Sequence, residues 1–395
     1  MILYGRKEDC TGCGACCNAC AHGAIGMKPD MEGFLYPEID VSRCVACKLC
    51  AMACPVTSKP PSDRSPKAYA CRNKDDRIRY DSSSGGLFTP LAERILRKSG
   101  VVFGAAFDAS FNVVHDFAET ADDLSRLRQS KYAQSRMGKA YARAKACLDA
   151  GRYVYFSGTP CQIAGLQAYL GKDCERLICQ DLICHGVPSP KVWRDYLSYR
   201  ERRSGAPVRA VQFREKRQSW SSPSTVMRFE NGKEYRRNAR EDLFCRGFLE
   251  NLFLRPSCFS CPFKGSGGSA DITLADFWGV DRVLPELFDD RGTSLLLIHS
   301  QKGADLFDCV REELICEEVS PAEALRHNPL ALASARPPAA PAQFWETYHR
   351  RGLPKTLRAY LKVGAVIRCK RLARRVVNKI SRRQNVAAKG SGFDA

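Results

Sequence analysis

The sequence predicts two parts of different fold class: a small cysteine-rich α+β domain over residues 1–60, then a large mixed α/β body. A repeated four-cysteine spacing and the proline-rich stretch at 59–66 predict the small domain and its end. Strand-like and helix-like patterns that alternate over about 270 residues predict the body, because such alternation is typical of α/β proteins.

Two runs of cysteine share one spacing: Cys10, Cys13, Cys16 and Cys20, and Cys44, Cys47, Cys50 and Cys54. This is the spacing of ferredoxins with two 4Fe–4S clusters, in which the fourth cysteine of each run binds the other cluster. The predicted ligands are therefore Cys10, Cys13, Cys16 and Cys54 for one cluster, and Cys44, Cys47, Cys50 and Cys20 for the second. Zinc and disulfides are alternatives that two matching runs do not favour. Cys17 is a competing ligand.

Proline-rich stretches at 59–66 and 336–341 divide the 395 residues. We expect domains at 1–60, 61–150 and 151–335, and a basic tail at 343–395. The first twelve residues have no apolar core of a signal peptide, and no stretch reaches 18 apolar residues. These features predict a reducing, cytoplasmic setting in which the 21 cysteines are thiols or metal ligands.

The elements of the body follow in order from their periodicity. Apolar runs predict strands at 101–107, 113–117, 153–156, 176–183, 208–214, 225–229, 271–274 and 294–300. Helical patterns occupy 87–97, 139–150, 163–170, 190–203, 242–253 and 302–313. Asn231-Gly232 is a strong hairpin turn, and Pro190 suits the first turn of its helix. The strand order does not follow from these patterns.

Four further cysteines lie in loops beside glycine, proline or histidine. Cys161 and Cys184 each follow a predicted strand, and Cys258 and Cys261 form a Cys-x-x-Cys-Pro box. Ligands gather at the carboxyl ends of strands in α/β sheets, and four thiolates are what a third 4Fe–4S cluster needs. A zinc knuckle, or unrelated buried cysteines, is the alternative. Cys179 is the nearest substitute ligand.

Six motifs in one order carry a family resemblance. They are Ser83–Phe88 (SSGGLF), Ser130–Ser135 (SKYAQS), Gly158–Gln162 (GTPCQ), Asp181–Pro190 (DLICHGVPSP), the cysteine box at 258–263 and Asp271–Gly279 (DITLADFWG). The chain resembles the beta subunit of coenzyme F420-reducing hydrogenase and its dehydrogenase relatives over about residues 1–330. Seven-hydroxymethyl chlorophyll reductases are similar too. Ala275 stands where the family usually has glycine.

The resemblance implies FAD beside the iron–sulfur clusters, and hydride exchange with the deazaflavin coenzyme F420. It also favours the third cluster on Cys161, Cys184, Cys258 and Cys261. On this basis 61–150 and 151–335 correspond to the N- and C-terminal domains of the beta subunit, the latter holding the flavin and the third cluster.

A flavin would split the two electrons of a hydride into single electrons for the clusters. Ser84, Gly85 and Gly86, ahead of a helix, offer backbone N–H groups to an anion. Lys131 can meet a phosphate or a reduced flavin. Gly158, Thr159 and Pro160 allow the backbone to approach a ring or pyrophosphate. Taken singly, such features are usually an ordinary turn or a solvated side chain, and only the joint match to the family supports a role at a flavin.

The tail is the source of most of the charge. Of a net +19, 13 Lys or Arg lie in residues 350–383, which contain no Asp or Glu. Leu361, Ala365, Cys369, Leu372, Val376 and Ile380 are spaced to form one helical face. A basic amphipathic helix is typical of contact with an anionic membrane surface, here the inner face. The alternatives are packing on the body, binding an acidic partner protein, or non-specific binding to nucleic acid.

Two function classes remain. The first is a flavin and iron–sulfur oxidoreductase that moves electrons between a hydride-carrying coenzyme or substrate and ferredoxin or a partner subunit. The second is a non-catalytic electron-transfer subunit that serves a separate enzyme. The sequence has no P-loop, G-x-S-x-G, His-Glu-x-x-His or G-x-G-x-x-G motif, and nothing in it predicts a specific nucleic-acid partner.

Overall fold

The computed structural model describes residues 4–57, 65–265 and 268–361. The chain divides into two units, Met1–Pro341 and Ala342–Ala395. Most of the linker at 59–66 lies outside the described residues, and so does the predicted basic helix beyond Leu361.

The cysteine-rich part folds into two short helices and a hairpin. Its elements are α1 (Ala15–Ala19), β1 (Ile25–Pro29), β2 (Leu35–Ile39) and α2 (Leu49–Met52). β1 and β2 pair in antiparallel fashion, with Ile25 opposite Ile39. This is the ferredoxin-like region that the cysteine spacing predicts.

The two cysteine runs follow the same backbone path. Gly12 and Ala46, each two residues after the first cysteine of its run, have φ of 68° and 56°. Gly14 and Lys48, which precede α1 and α2, have φ of 79° and 62°. Left-handed backbone is open to glycine but costs other residues roughly 1–2 kcal/mol. In the second run, Ala46 and Lys48 adopt this left-handed conformation although they are not glycine. The common backbone path of the two runs is therefore set by their common cysteine spacing and not by glycine.

The remaining strands form two sheets. They are β3 (Lys67–Asn73), β4 (Val101–Phe107), β5 (Val113–Ala118), β6 (Val154–Ser157), β7 (Leu177–Leu182), β8 (Val208–Glu215), β9 (Ser224–Phe229), β10 (Glu234–Asn238), β11 (Ile272–Asp276), β12 (Ser294–Ile298) and β13 (Leu314–Val319). The large sheet has the order β13-β3-β12-β11-β7-β6-β4-β5, and the small antiparallel sheet has the order β10-β9-β8. β4, β6, β7 and β11 run parallel, and the pairings outside them in the large sheet are antiparallel.

Helices cover both faces of the large sheet and also pack on the small sheet. They are α3 (Asp76–Tyr80), α4 (Phe88–Leu96), α5 (Leu124–Leu127), α6 (Ala140–Asp149), α7 (Pro160–Leu170), α8 (Pro190–Ser204), α9 (Leu243–Leu249), α10 (Val280–Val283), α11 (Gln301–Asp308) and α12 (Pro321–Leu325). One apolar core contains Leu91 of α4 and Phe307 of α11, and the other contains Tyr141 of α6 and Ile163 of α7. The apolar faces of these helices therefore pack against the sheet.

The mixed α/β architecture is confirmed, with differences at particular elements. The predicted helices at 242–253 and 302–313 end earlier, at Leu249 and Asp308. The sequence reasoning missed β3 and β13, which lie at one side of the large sheet. The alternation of apolar and polar residues along β13 is weak, because most of its residues are exposed or half-buried, as is typical of an edge strand.

The second unit contains two described helices, α13 (Pro341–Arg351) and α14 (Leu353–Tyr360). Phe344, Trp345 and Tyr348 of α13 are buried. Among the helices of the described residues, none has the length and apolar character to cross a membrane.

Candidate redox centre

The first cysteine group brings together residues from both runs. The pKa of Cys13 is raised to about 11, mainly by burial and in smaller part by the charges of neighbouring Cys10 and Cys54. Burial also raises the pKa of Cys16, with contributions from Cys13 and Cys10. Cys54 of the second run therefore lies near Cys13 of the first run. The exchange of ligands between the two runs stays a prediction.

The second group mirrors the first. Burial raises the pKa of Cys50, and the charges of Cys47 and Cys20 add to the rise. Cys44 precedes Cys47 and Cys50 in the same run, and Cys47 is solvent-exposed. The Cys17 thiol, the competing ligand, donates to the backbone carbonyl of Ile25 at 3.0 Å and so has a partner of its own.

The third group lines one cavity. The four members are Cys161, Cys184, Cys258 and Cys261, and the cavity has about 770 Å³ of empty space including its mouth. Burial raises the pKa of Cys184 to about 12, with the charges of Cys258 and Cys261 next. Burial likewise raises the pKa of Cys258 to about 12, and neighbouring Cys161 and Cys261 contribute.

Local structure explains how these four cysteines meet. Cys161 lies in the first turn of α7, which begins with a capping box between Thr159 and Gln162. β6 and β7 are parallel neighbours, so the residues that follow them meet at one edge of the sheet. Cys179, the substitute ligand, is 1% exposed and belongs to the apolar core.

The donor set of each group fits a 4Fe–4S cluster. Within the described ranges, no three His, Cys, Asp or Glu side chains converge closely enough to hold one metal ion. A cubane is bound through one thiolate on each of its irons, so its ligands are spread around it. In the third group, four cysteines line one cavity, which is the ligand set such a cluster requires.

The first and third groups are joined through α7. A Cβ built on Gly165 would lie 3.1 Å from the Cys13 sulfur and 2.9 Å from the Tyr141 hydroxyl. The charges of Cys161 and Cys13 also interact. Glycine is the residue that lets this helix approach the first run so closely. The three groups therefore form one continuous series.

Arg255 fastens the ferredoxin-like region to the body. Its side chain is fully buried and donates to the Cys10 carbonyl at 2.8 Å, the Leu35 carbonyl at 3.0 Å and Gln134 Oε1 at 3.0 Å. The guanidinium also lies 4.1 Å from the centre of the Tyr36 ring. These contacts fix the first cysteine run against the body.

The predicted flavin contacts Ser84, Gly85 and Gly86 form a loop that rests on the large sheet. Ser84 Oγ donates to the Thr293 carbonyl at 3.0 Å, and the Gly85 N–H donates to Ser294 Oγ at 2.9 Å. A Cβ on Gly85 would lie 2.4 Å from the Cys71 carbonyl oxygen, so only glycine fits there. Part of the predicted anion-binding backbone is thus bonded to the protein itself.

Lys131 is also bonded within the protein. Its Nζ donates to the carbonyls of Arg126 at 3.0 Å and Gln129 at 3.3 Å, and to that of Arg128. Burial lowers the pKa of Lys131 to about 7. Contact with a phosphate would require Lys131 to release these carbonyls. Its role at a flavin stays a prediction.

Gly158, Thr159 and Pro160 link β6 to α7. The Gly158 N–H donates to the Gln180 carbonyl at 3.0 Å, and the Thr159 N–H donates to Gln162 Oε1 at 2.9 Å. Pro160 lines the cavity of the third group. The structure therefore places this motif beside that cavity.

The sequence reasoning missed a buried cationic cluster next to the Ser84 loop. Arg214 donates to Asp276 at 2.6 Å and also interacts with the Tyr132 hydroxyl, while its buried Nε and Nη2 atoms have no partner at hydrogen-bonding geometry in the described part of the chain. Lys216 donates to the Ser84 carbonyl. Trp220 stacks on Trp278 with ring centres 5.0 Å apart. Only Asp276 and Trp278 carried a signal, because both lie in the motif at 271–279.

Three family models match this chain. Residues 68–141 and 151–324 match the N-terminal and C-terminal models of the coenzyme F420 hydrogenase/dehydrogenase beta subunit, and residues 9–58 match a 4Fe-4S dicluster domain. No curated protein matches the sequence. One similar solved structure is a chain of the F420-reducing NiFe hydrogenase complex from Methanosarcina barkeri. It is 18% identical with a TM-score of 0.47, over 68% of this chain and 88% of that one.

Proposed function

We propose a function from one premise: this chain belongs to the coenzyme F420 hydrogenase/dehydrogenase beta subunit family. Together with the dicluster domain, the family makes it an iron–sulfur electron-transfer protein of the oxidoreductase class. The finer proposal is an oxidoreductase that moves electrons between a hydride-carrying coenzyme, such as a deazaflavin, and ferredoxin or a partner subunit. FAD and three 4Fe–4S clusters would carry them.

One observation supports this proposal most strongly, namely the arrangement of the three cysteine groups in series. The second group contains exposed Cys47, and the first contains buried Cys13. α7 connects Cys13 to the third group through the close approach at Gly165. Electrons would therefore pass between the surface and the interior of the body. Several cluster sites in series are the arrangement expected for stepwise electron transfer, whereas a single structural cluster requires only one such site.

The flavin proposal is supported by the cationic cluster. Buried donors without partners are costly, because a desolvated polar group that makes no hydrogen bond destabilises a fold by roughly 1–3 kcal/mol. Arg214 carries two such atoms, and Lys216 lies beside the Ser84 loop. When bound, a flavin supplies the exchange between two-electron and one-electron chemistry. We propose that Arg214 and Lys216 hold its phosphate groups, and that Trp220 shapes the wall of the site.

A second function is favoured by the internal bonding of Lys131 and Gly85. If these groups bind only their own protein and the Arg214 cluster binds no flavin either, the chain is a non-catalytic electron-transfer subunit whose partner performs the two-electron chemistry. Bound flavin separates the two functions, since one-electron transfer through clusters requires none.

The test is anaerobic purification of the full chain with quantitation of iron, sulfide and flavin. About twelve irons per chain are expected for three clusters, since each cluster contains four. Cys161→Ser should bring the count to about eight, whereas Cys147→Ser, outside the three groups, should leave it unchanged. About eight irons in the unaltered protein would refute the third cluster. Absence of flavin would favour the electron-transfer subunit.

The flavin contacts are tested by Arg214→Met with Arg209→Met as its control. Both arginines belong to β8, but Arg209 is exposed. Loss of a charged hydrogen bond of about 1.5–3 kcal/mol should weaken flavin binding roughly 10- to 150-fold. Flavin retention equal to that of the control would exclude Arg214 as a phosphate ligand. Lys131→Ala in the same series shows whether Lys131 also contributes.

A further inference from the structure

Two cysteines outside the three groups lie opposite each other in the large sheet. β3 and β13 are antiparallel, and their register pairs Cys71 with Cys316. One step beyond the strands, the Lys74 N–H donates to the Glu313 carbonyl at 3.0 Å. Hydrogen-bonded and non-hydrogen-bonded pairs alternate along an antiparallel ladder, so Cys71 and Cys316 form a non-hydrogen-bonded pair.

Such a pair has the geometry of a disulfide. Directly opposed residues of this kind have Cα atoms about 4.5 Å apart, within the 4.4–6.8 Å that disulfides span. Both side chains lie on one face of the sheet, where Cys71 belongs to the apolar core and Cys316 packs against that core. The two thiols are therefore neighbours in the reduced protein.

The two thiols differ in access to solvent. Cys71 is 0% exposed and packs in the core with Tyr69 and Phe307. Cys316 is half-buried on β13, the edge strand of the sheet. An oxidant from solution would thus react first with Cys316, and Cys71 would be the resolving thiol.

We propose that Cys71 and Cys316 form a reversible cross-strand disulfide when the protein meets a small-molecule disulfide. In the first step the Cys316 thiolate attacks oxidised glutathione, which gives a mixed disulfide and releases one glutathione. In the second step the Cys71 thiolate attacks the Cys316 sulfur, which forms the protein disulfide and releases the second glutathione. Two protein thiols lose two electrons and two protons, and one oxidised glutathione becomes two reduced molecules.

The disulfide would restrict the motion of the Ser84 loop, which lies beside the cationic cluster of Arg214 and Lys216. The Gly85 loop rests on the Cys71 carbonyl, and the Asn73 N–H donates to the Gly85 carbonyl at 2.8 Å. Joining β3 to β13 would stiffen the strand that supports this loop. Formation of this disulfide is independent of the clusters, because neither Cys71 nor Cys316 belongs to a proposed cluster.

The test uses the full-length protein, purified anaerobically and incubated with oxidised glutathione. After free thiols are alkylated, non-reducing peptide mass spectrometry should find Cys71 linked to Cys316 in more than half of the chains, and dithiothreitol should reverse the link. Hydrogen exchange over 67–73 and 314–319 should slow in the oxidised protein. Unchanged iron content shows that the clusters survive.

Exposed Cys309 is the internal control, because its glutathione adduct shows that the oxidant has acted. Cys309→Ser should leave the link intact, and Cys316→Ser should abolish it. If Cys309 is modified while Cys71 is recovered alkylated, the proposal is overturned, whether Cys316 is free or remains a mixed disulfide. That result is read from the unaltered protein, so it does not depend on how either variant folds.

Discussion

Replacing Arg255 with methionine should weaken the attachment of the ferredoxin-like region to the body. The guanidinium donates to two carbonyls and to Gln134, at 2.8–3.0 Å. It is fully buried, and methionine keeps much of its length without the charge. The acceptors on Cys10 and Leu35 would then be left in the interior without their donor.

The expected loss is about 3–5 kcal/mol of unfolding free energy. Each hydrogen bond from a charged group contributes roughly 1.5–3 kcal/mol, but bonds made by one side chain do not add fully. Removing one partner from a buried charged network typically costs about 3–5 kcal/mol. The cation also lies 3.6 Å from the Cys10 sulfur, so its removal should make the reduction potential of the first cluster more negative.

The assay is anaerobic urea denaturation of the cluster-loaded protein, followed by redox titration of the clusters. Arg6→Met is the matched control, because Arg6 is 76% exposed and pairs with Asp9 at the surface. An exposed pair contributes about 0–1 kcal/mol, so this variant should behave like the unaltered protein. If Arg255→Met loses less than about 1 kcal/mol, the buried network does not fasten the two regions.

Three further perturbations test other parts of the molecule. Burial raises the pKa of Asp181 to about 7, so its neutral form stabilises the fold at low pH and this stability is lost as pH rises from about 4 to 7. Asp181→Asn should remove that pH dependence of the unfolding free energy, measured by denaturation at a series of pH values. The control Asp122→Asn, at an exposed carboxylate, should retain it. Gly165→Ala should slow electron transfer between the first and the proposed third cluster, or displace the first, because the added Cβ is crowded against Cys13 and Tyr141. Rapid-freeze spectroscopy measures this transfer, and Gly26→Ala, with open space around it, should leave it unchanged. Truncation after Ala342 should abolish sedimentation with anionic vesicles at low salt and leave dye turnover intact; a full-length protein that ignores such vesicles would exclude the membrane role of the tail.

Much of the architecture followed from local patterns. The strands β6 and β7 and the helix α7 were predictable because their apolar residues recur with the period of each element. The same reasoning placed Cys161 and Cys184 at neighbouring strand ends. It failed at β13, whose half-exposed residues carry little periodicity, and it left the strand order open because pairing joins residues far apart in the chain.

The sequence alone determined that the first 60 residues contain a dicluster 4Fe-4S domain, and it predicted which cysteines belong together, because cluster ligands have a fixed local spacing that begins at Cys10 and at Cys44. Only the tertiary structure placed Arg214 and Lys216 beside the Ser84 loop, opposed Cys71 to Cys316, and set α7 against the first run at Gly165. The physical reason is distance along the chain. The spacing of ligands within a loop can be seen directly in consecutive residues, whereas contacts between segments far apart in the chain depend on how sheets and helices pack.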